Sequence, residues 1–403
     1  MRYRANEHAA RSTTEYVFHQ LLPYLGNKRH LLDLIATAVR ATGCTPGEST
    51  FVDAFAGSGV VARLAKKLGF AVVANDWEPY ARVINSAALL PRREPELGRL
   101  GGYRGALHHL NALPGIDGWI ANTLCPAHDE QPDPDRERMF YRRANGRRMD
   151  AIRECIANWQ QDALIDEAAA CCLLTSLLYQ ACWLANTSGV FKGFHRGWGG
   201  SNGTALHRIL ADIRLLPLLF CDSDRDHRIE SMDALQLPQH LEPKVDICYF
   251  DPPYNQHPYA SNYHVLNSIV VWDQPQLPPA TARGSKAAIR RDWQERRSAF
   301  NDRRRASDAF AQLLGAYRSR HMLVSYSTDG LIELNDLLAT AAARGRLTAY
   351  CRSYKRYRTS PTRPSPRPRN VEFVLHIACD EAPRKNEATK ARNAIMAAAA
   401  ASR

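Results

Sequence analysis

The chain has 403 residues, of which 45% are apolar and 23% charged, an ordinary globular composition. That excludes a disordered, collagenous or fibrous chain, and a mean hydropathy of −0.39 argues against a multispanning membrane protein. Lys and Arg outnumber Asp and Glu by 53 to 41, for a net charge of +12, which points to an acidic polymer as partner, nucleic acid first.

Met1 to Thr14 is polar and carries Arg2, Arg4 and Arg11, so no secretory signal is expected there. Leu21 to Ala41 reads as a short loop followed by a helix, with Leu31, Leu34, Ile35, Ala38 and Val39 at helical spacing. Phe51 to Phe55 is a buried strand, Gly57-Ser58-Gly59 breaks it, Val60 to Leu68 is a helix, and Ala71 to Ala74 is a second strand. Strand, glycine turn, helix and strand make a βαβ unit, so the expected fold class is α/β with a parallel sheet. From Pro91 to Phe220 the periodicity is helical or absent. Within it, Arg136 to Arg153 holds seven arginines against Glu137 and Asp150, and Ala168 to Ala185 is apolar enough for a buried core helix. Strands return at Val245 to Phe250, Met322 to Tyr326 and Val371 to Ile377. The expected organisation is therefore a sheet domain in two parts, 1–90 and 229–380, around a helical insertion at 91–228. A tail at 381–403 is expected to be flexible. Arg283 to Arg305 and Cys351 to Arg369 read as peripheral basic stretches; the tyrosines of the latter could track a nucleic-acid backbone. The ten cysteines form no C-x-x-C pair, so no metal site is expected and a reducing compartment fits.

Two places carry chemistry. The glycine turn lets a ligand approach the backbone, and Asp76, at the end of the second strand, suits the hydroxyls of a ribose. A full G-x-G-x-x-G is absent, with Ala62 where its third glycine would stand. The strand Val245–Phe250 ends in Asp251-Pro252-Pro253-Tyr254. Two prolines force the chain to turn at the carboxyl end of a parallel sheet, where α/β ligand sites lie. Asp251 and the Pro252 carbonyl can each accept one hydrogen of an exocyclic amine, and Tyr254 can stack on its ring.

These residues resemble the amino-group DNA methyltransferases, and within them the Dam-like, alpha-class adenine-N6 enzymes of the restriction-modification type. The glycine turn precedes the Asp-Pro-Pro-Tyr box, a long insertion separates them, and Tyr24-Leu25-Gly26-Asn27-Lys28 resembles the family's aromatic-x-Gly-Gly-Lys element, with Asn27 in place of a glycine. The resemblance implies a Rossmann-like sheet, a helical target-recognition insertion and S-adenosylmethionine as methyl donor. It places Tyr24, Lys28, Asp53, Phe55, Gly57, Gly59, Asp76, Asp233 and Asp251 at the cofactor, and Asp251, Pro252, Pro253 and Tyr254 at the reaction. Asn255 to Asn267 resembles a run of restriction-modification relatives, so Asn255, Tyr259, Asn262, Tyr263 and His264 are expected to frame the target base. Gly189 to Arg196 resembles the family's Gly-x-Phe-Asn segment, making Lys192, His195 and Arg196 candidate DNA contacts. The implied function is site-specific methylation of a flipped adenine in double-stranded DNA, by a cytoplasmic, DNA-associated protein of prokaryotic or phage origin paired with a restriction endonuclease. The alternatives are an enzyme for another amine (cytosine, RNA adenine) and a catalytically silent DNA-binding relative.

Overall fold

The structure, a computed structural model, describes residues 15–355 and 369–400. Its centre is a seven-stranded sheet in the order β3-β2-β1-β4-β5-β7-β6. The strands are β1 (Thr50–Asp53), β2 (Ala71–Asn75), β3 (Arg228–Glu230), β4 (Val245–Phe250), β5 (Ser319–Ser327), β6 (Arg346–Lys355) and β7 (Arg369–Ala378). β3, β2, β1, β4 and β5 run parallel, while β7 is antiparallel to both neighbours. The chain order reverses between β1 and β4, and ligands bind outside the carboxyl ends of strands at such a switch point. This is the α/β architecture that the glycine turn and the apolar strands imply, and the Rossmann-like sheet that the resemblance implies.

Both faces of the sheet are covered, so its central strands are apolar on both sides. Phe51, Ile247 and Tyr249 pack with helices Leu32–Ala41 and Val60–Leu68 on one face. Val52, Cys248 and Phe250 pack with helices Ala306–Ala316, Leu334–Ala342 and Glu387–Ala400 on the other. A third core lies in the insertion. Helix Glu167–Trp183, opened by the Asp166 carboxylate accepting from the Ala169 N–H at 2.8 Å, is buried on nearly every side. That burial accounts for its uniformly apolar sequence; among the described residues no helix is long and apolar enough to cross a membrane.

Three features depart from the sequence reading, and a fourth adds to it. The expected flexible tail at 381–403 instead holds helix Glu387–Ala400, which buries Ala391 and Ile395 against the sheet, and Glu387 accepts from the Leu347 N–H at 2.9 Å. Cys351 to Lys355 belongs to β6; the rest of the tyrosine-bearing stretch through residue 368 lies outside the described residues. Tyr263, Val265, Leu266 and Ile269, expected with the sheet domain, pack into the core of the insertion. Finally, the seven arginines of 136–153 have protein partners. Arg138 donates to the carbonyls of Thr123, Pro278, Ser285 and Lys286, at 2.6–3.2 Å. Arg153 donates to those of Ile269 and Val270 and lies over the Trp272 ring. Arg148 donates to the Asn111 carbonyl, while Arg136, Arg142, Arg143 and Arg147 pair with Asp133, Asp129, Asp117 and Asp117. A guanidinium can satisfy several carbonyls at once, so here it staples loops.

Candidate active site

A cleft open to solvent lies at the carboxyl ends of β1, β2 and β4. β1 delivers Asp53, and the turn after it reverses at Gly57 (φ 51°) and Gly59 (φ 78°). A Cβ on Gly57 would stand 3.2 Å from the Tyr24 ring. A Cβ on Gly59 would stand 2.6 Å from Asn85 Oδ1, so Gly59 serves packing beneath the turn and does not line the cleft. β2 delivers Asp76, whose oxygens accept from the N–H groups of Gly57 (2.7 Å) and Glu78 (2.9 Å). Asp233 stands on the wall beyond β3 and β4 delivers Asp251.

The charges in the cleft are unbalanced. Asp53, Asp76, Glu78, Asp233 and Asp251 line it, against Lys28 and Arg296. Lys28 is buried and its Nζ lies 2.9 Å from Asp251 Oδ1, 3.0 Å from the Gly26 carbonyl and 5.1 Å from the centre of the Tyr254 ring. Burial pushes Asp251 up to about 6, and Lys28 restrains that rise. Burial likewise pushes Asp76 up to about 6 and Glu78 to about 7, relieved at Glu78 by the Asn267 amide, which donates to Oε2 at 2.7 Å. Asp53 is raised well above the carboxylate range by burial and then by the charge of Asp251; its Oδ1 is buried without a hydrogen-bond partner.

The Tyr24–Lys28 element belongs to this wall. Asn27 sits at φ −56°, where no glycine is required, and caps the turn at Lys28–His30 by accepting from the Arg29 N–H at 2.8 Å. Gly26 takes the left-handed conformation, and a Cβ there would be 3.0 Å from Tyr259 Oη. Tyr24 stacks on Tyr259 (5.1 Å between ring centres) and on Tyr263 (4.8 Å).

The structure brings Tyr24, Lys28, Asp53, Phe55, Gly57, Asp76, Asp233, Asp251, Pro253 and Tyr259 onto one cleft. Pro252 is buried between Asp251 and Pro253, both of which line the cleft, and Tyr254 meets Tyr326 edge-on at 5.9 Å. Three residues expected around the target base are staples instead. The Asn262 carbonyl accepts from the Phe191 N–H at 2.7 Å, and Tyr263 Oη accepts from the Leu25 N–H at 2.7 Å. His264 is 1% exposed, and its Nε2 donates to the Phe191 carbonyl at 2.9 Å. Burial holds that imidazole down to about 4, so it is neutral and structural. The same bonds dock the Gly189–Arg196 loop against the 259–264 segment, leaving Lys192 exposed and His195 half-buried; Arg196 is exposed but paired with Asp135 at 2.8 Å. Asn255 uses its carbonyl to accept from the Asn301 amide at 2.7 Å.

Sequence reasoning missed Trp77, Glu78, Arg296, Ser298 and Asn301 on the cleft wall. Trp77 and Glu78 directly follow Asp76, so the carboxyl-end rule could have found them. The other three come from the arginine-rich stretch read as peripheral. It forms a wall because Phe300 is buried and meets Phe55 edge-on at 5.5 Å.

A sheet of this order, with a glycine turn after β1 and an Asp-Pro-Pro-Tyr corner after β4 on one cleft, defines an amino-methyltransferase catalytic core. The model of the D12 class N6 adenine-specific DNA methyltransferases matches residues 24–287, and the chain belongs to that family. It is 29% identical over 357 residues to the type II methyltransferase M.NlaIII of Neisseria lactamica, covering 88% of this chain and 98% of that protein. It is 27% identical to the type II methyltransferase M.FokI of Planomicrobium okeanokoites, over 83% of this chain and 50% of that one. To the modification methylase LlaI of Lactococcus lactis subsp. lactis it is 28% identical, over 84% of this chain and 51% of that one. The chain thus spans about half the length of the last two and nearly all of the first. The family implies a methyl donor.

Proposed function

We propose that the protein methylates the exocyclic amine of adenine at a specific site in duplex DNA, with S-adenosylmethionine as donor. One observation carries the reading: Asp251, held by Lys28, opens onto the same cleft as Asp53 and Asp76. The residues fit the donor. Asp53 Oδ1 is a buried acceptor without a partner, suited to an ammonium, and Asp76 stands where a ribose diol is bound. Five carboxylates against two cations favour a ligand of net positive charge.

S-Adenosylmethionine supplies an electrophilic methyl group on a sulfonium when bound. The chain supplies orientation and electrostatics. Lys28 keeps Asp251 ionised at neutral pH despite its burial, so its carboxylate accepts one amine hydrogen and the Pro252 carbonyl accepts the other. Both contacts push electron density onto the nitrogen. As the carbon–nitrogen bond forms, the carbon–sulfur pair stays on sulfur, and the hydrogen held by Asp251 is the proton that leaves. The base must be flipped out of the duplex to reach this corner. We propose further that Lys192 and His195 contact DNA, and that a restriction endonuclease is the functional partner, as for modification methylases.

The test is expression in a methylation-free host with genome-wide mapping of modified bases. Methyladenine at one short motif, abolished by Asp251→Ala, is the expected result. Methylation of cytosine, or none from a folded protein that binds DNA, refutes it.

A further inference from the structure

The chain's basic surplus needs a place to act, and the insertion does not offer it, since its seven clustered arginines bond to carbonyls and carboxylates of the protein. The exposed arginines at the cleft are elsewhere. We propose that Arg303, Arg304 and Arg305, with Arg297, grip the phosphodiester backbone of the DNA strand that presents the target base. This rests on the function proposed above.

Three observations support it. The first is placement. Ser298 and Asn301 line the cleft, Asn301 bonds the carbonyl of Asn255 next to Tyr254, and buried Phe300 fixes the segment against Phe55. Arg303 follows two residues after Asn301, on the side of the cleft where Tyr326 meets Tyr254 edge-on. The run therefore stands beside the corner that would hold the extruded base. The second is freedom. All four side chains are exposed, and no carboxylate lies within ion-pair distance of them among the described residues. Two of the nearby acids are already engaged. Asp292 pairs with Arg290 and Arg296, and Asp302 accepts from the Arg304 N–H at 3.0 Å. The third is chemistry. A guanidinium fork matches two phosphate oxygens, and a flipped nucleotide requires its flanking phosphates to be held while the base leaves the stack.

The test compares two triple variants of the full chain. Arg303→Ala/Arg304→Ala/Arg305→Ala removes the run. Arg93→Ala/Arg104→Ala/Arg320→Ala removes the same charge from arginines already paired with Glu96, Glu94 and Asp246. Binding to a duplex is measured across a salt series, together with S-adenosylmethionine binding and melting temperature. For the first variant we expect Kd to rise by more than about tenfold at 0.1 M salt. The slope of log K against log salt should shrink by about 2.7, three phosphates at about 0.9 each. Cofactor binding and melting should be unchanged. An unchanged slope, or an equal loss in both variants, overturns the proposal. A wild-type protein that binds DNA without methylating it refutes the proposed function instead, and the salt slopes still decide the role of the arginines.

Discussion

Asp53→Asn separates what the cleft does for the fold from what it does for a ligand. Asp53 Oδ1 is buried without a partner, and burial and the charge of Asp251 raise its pKa well above the carboxylate range. The unfolded chain ionises this group near pH 4, whereas the folded chain resists ionisation. The wild-type fold therefore loses stability as pH rises from about 4 toward the raised folded value, because the unfolded state binds fewer protons in that window. The amide does not titrate, so the variant escapes that loss. An unsatisfied buried polar group costs about 1–3 kcal/mol and more when charged, so the variant without ligand should melt higher at pH 8 and much closer to wild type at pH 4. Binding should move the other way. A hydrogen bond to a charged group contributes about 1.5–3 kcal/mol, so losing the contact to an ammonium should weaken S-adenosylmethionine about 10- to 150-fold. Scanning fluorimetry at the two pH values and calorimetric titration of the cofactor are the assays. Unchanged cofactor affinity, or a variant less stable than wild type at pH 8, refutes the role assigned to Asp53.

Three other outcomes follow from the same structure. Asp76, Glu78 and Asp251, raised to about 6, 7 and 6, should lose protons when a cation enters the cleft. Cofactor affinity should thus increase from pH 5.5 to 8, and the binding enthalpy at pH 6.5 should depend on the buffer's ionisation heat; equal enthalpies in phosphate and Tris would count against this. Ile395→Ala should destabilise by about 2–5 kcal/mol, since Ile395 is fully buried, lowering the melting temperature where a frayed tail would leave it unmoved. His264→Ala strands the Phe191 carbonyl and should cost about 1–3 kcal/mol in denaturant stability. His264 stays neutral above about pH 4, so the kcat profile from pH 6 to 8 should keep its shape.

The parts legible in the sequence are those whose signal is local. Helix Val60–Leu68 begins and ends at glycines in the left-handed region, and β4 is an apolar run stopped by two prolines. Punctuation of that kind needs no knowledge of the partner. β6 was not legible because it is the sheet's outer strand, where Arg, Thr, Ser and Lys are tolerated. Helix Glu387–Ala400 buries only Glu387, Ala391 and Ile395, four residues apart, and its other core contacts are alanines, a stripe thin enough to be hidden in the sequence. At the site, position after a strand pointed to Asp76 and Asp251, and both line the cleft. Motif likeness alone misplaced Asn262, Tyr263 and His264, because a polar residue beside a site and one stapling its wall look the same in one dimension. The protein partners of the arginines of 136–153 were hidden for the same reason, since charge counted along a chain does not show which charges the fold has already neutralised.

The surplus of carboxylates in the cleft has a consequence for turnover. On the proposed chemistry, methyl transfer removes one positive charge from the space between Asp53, Asp76, Glu78, Asp233 and Asp251. The field that draws in the sulfonium exerts less pull on the thioether left behind. On these charges alone, the spent nucleoside is held less strongly than the donor that entered, which favours its release.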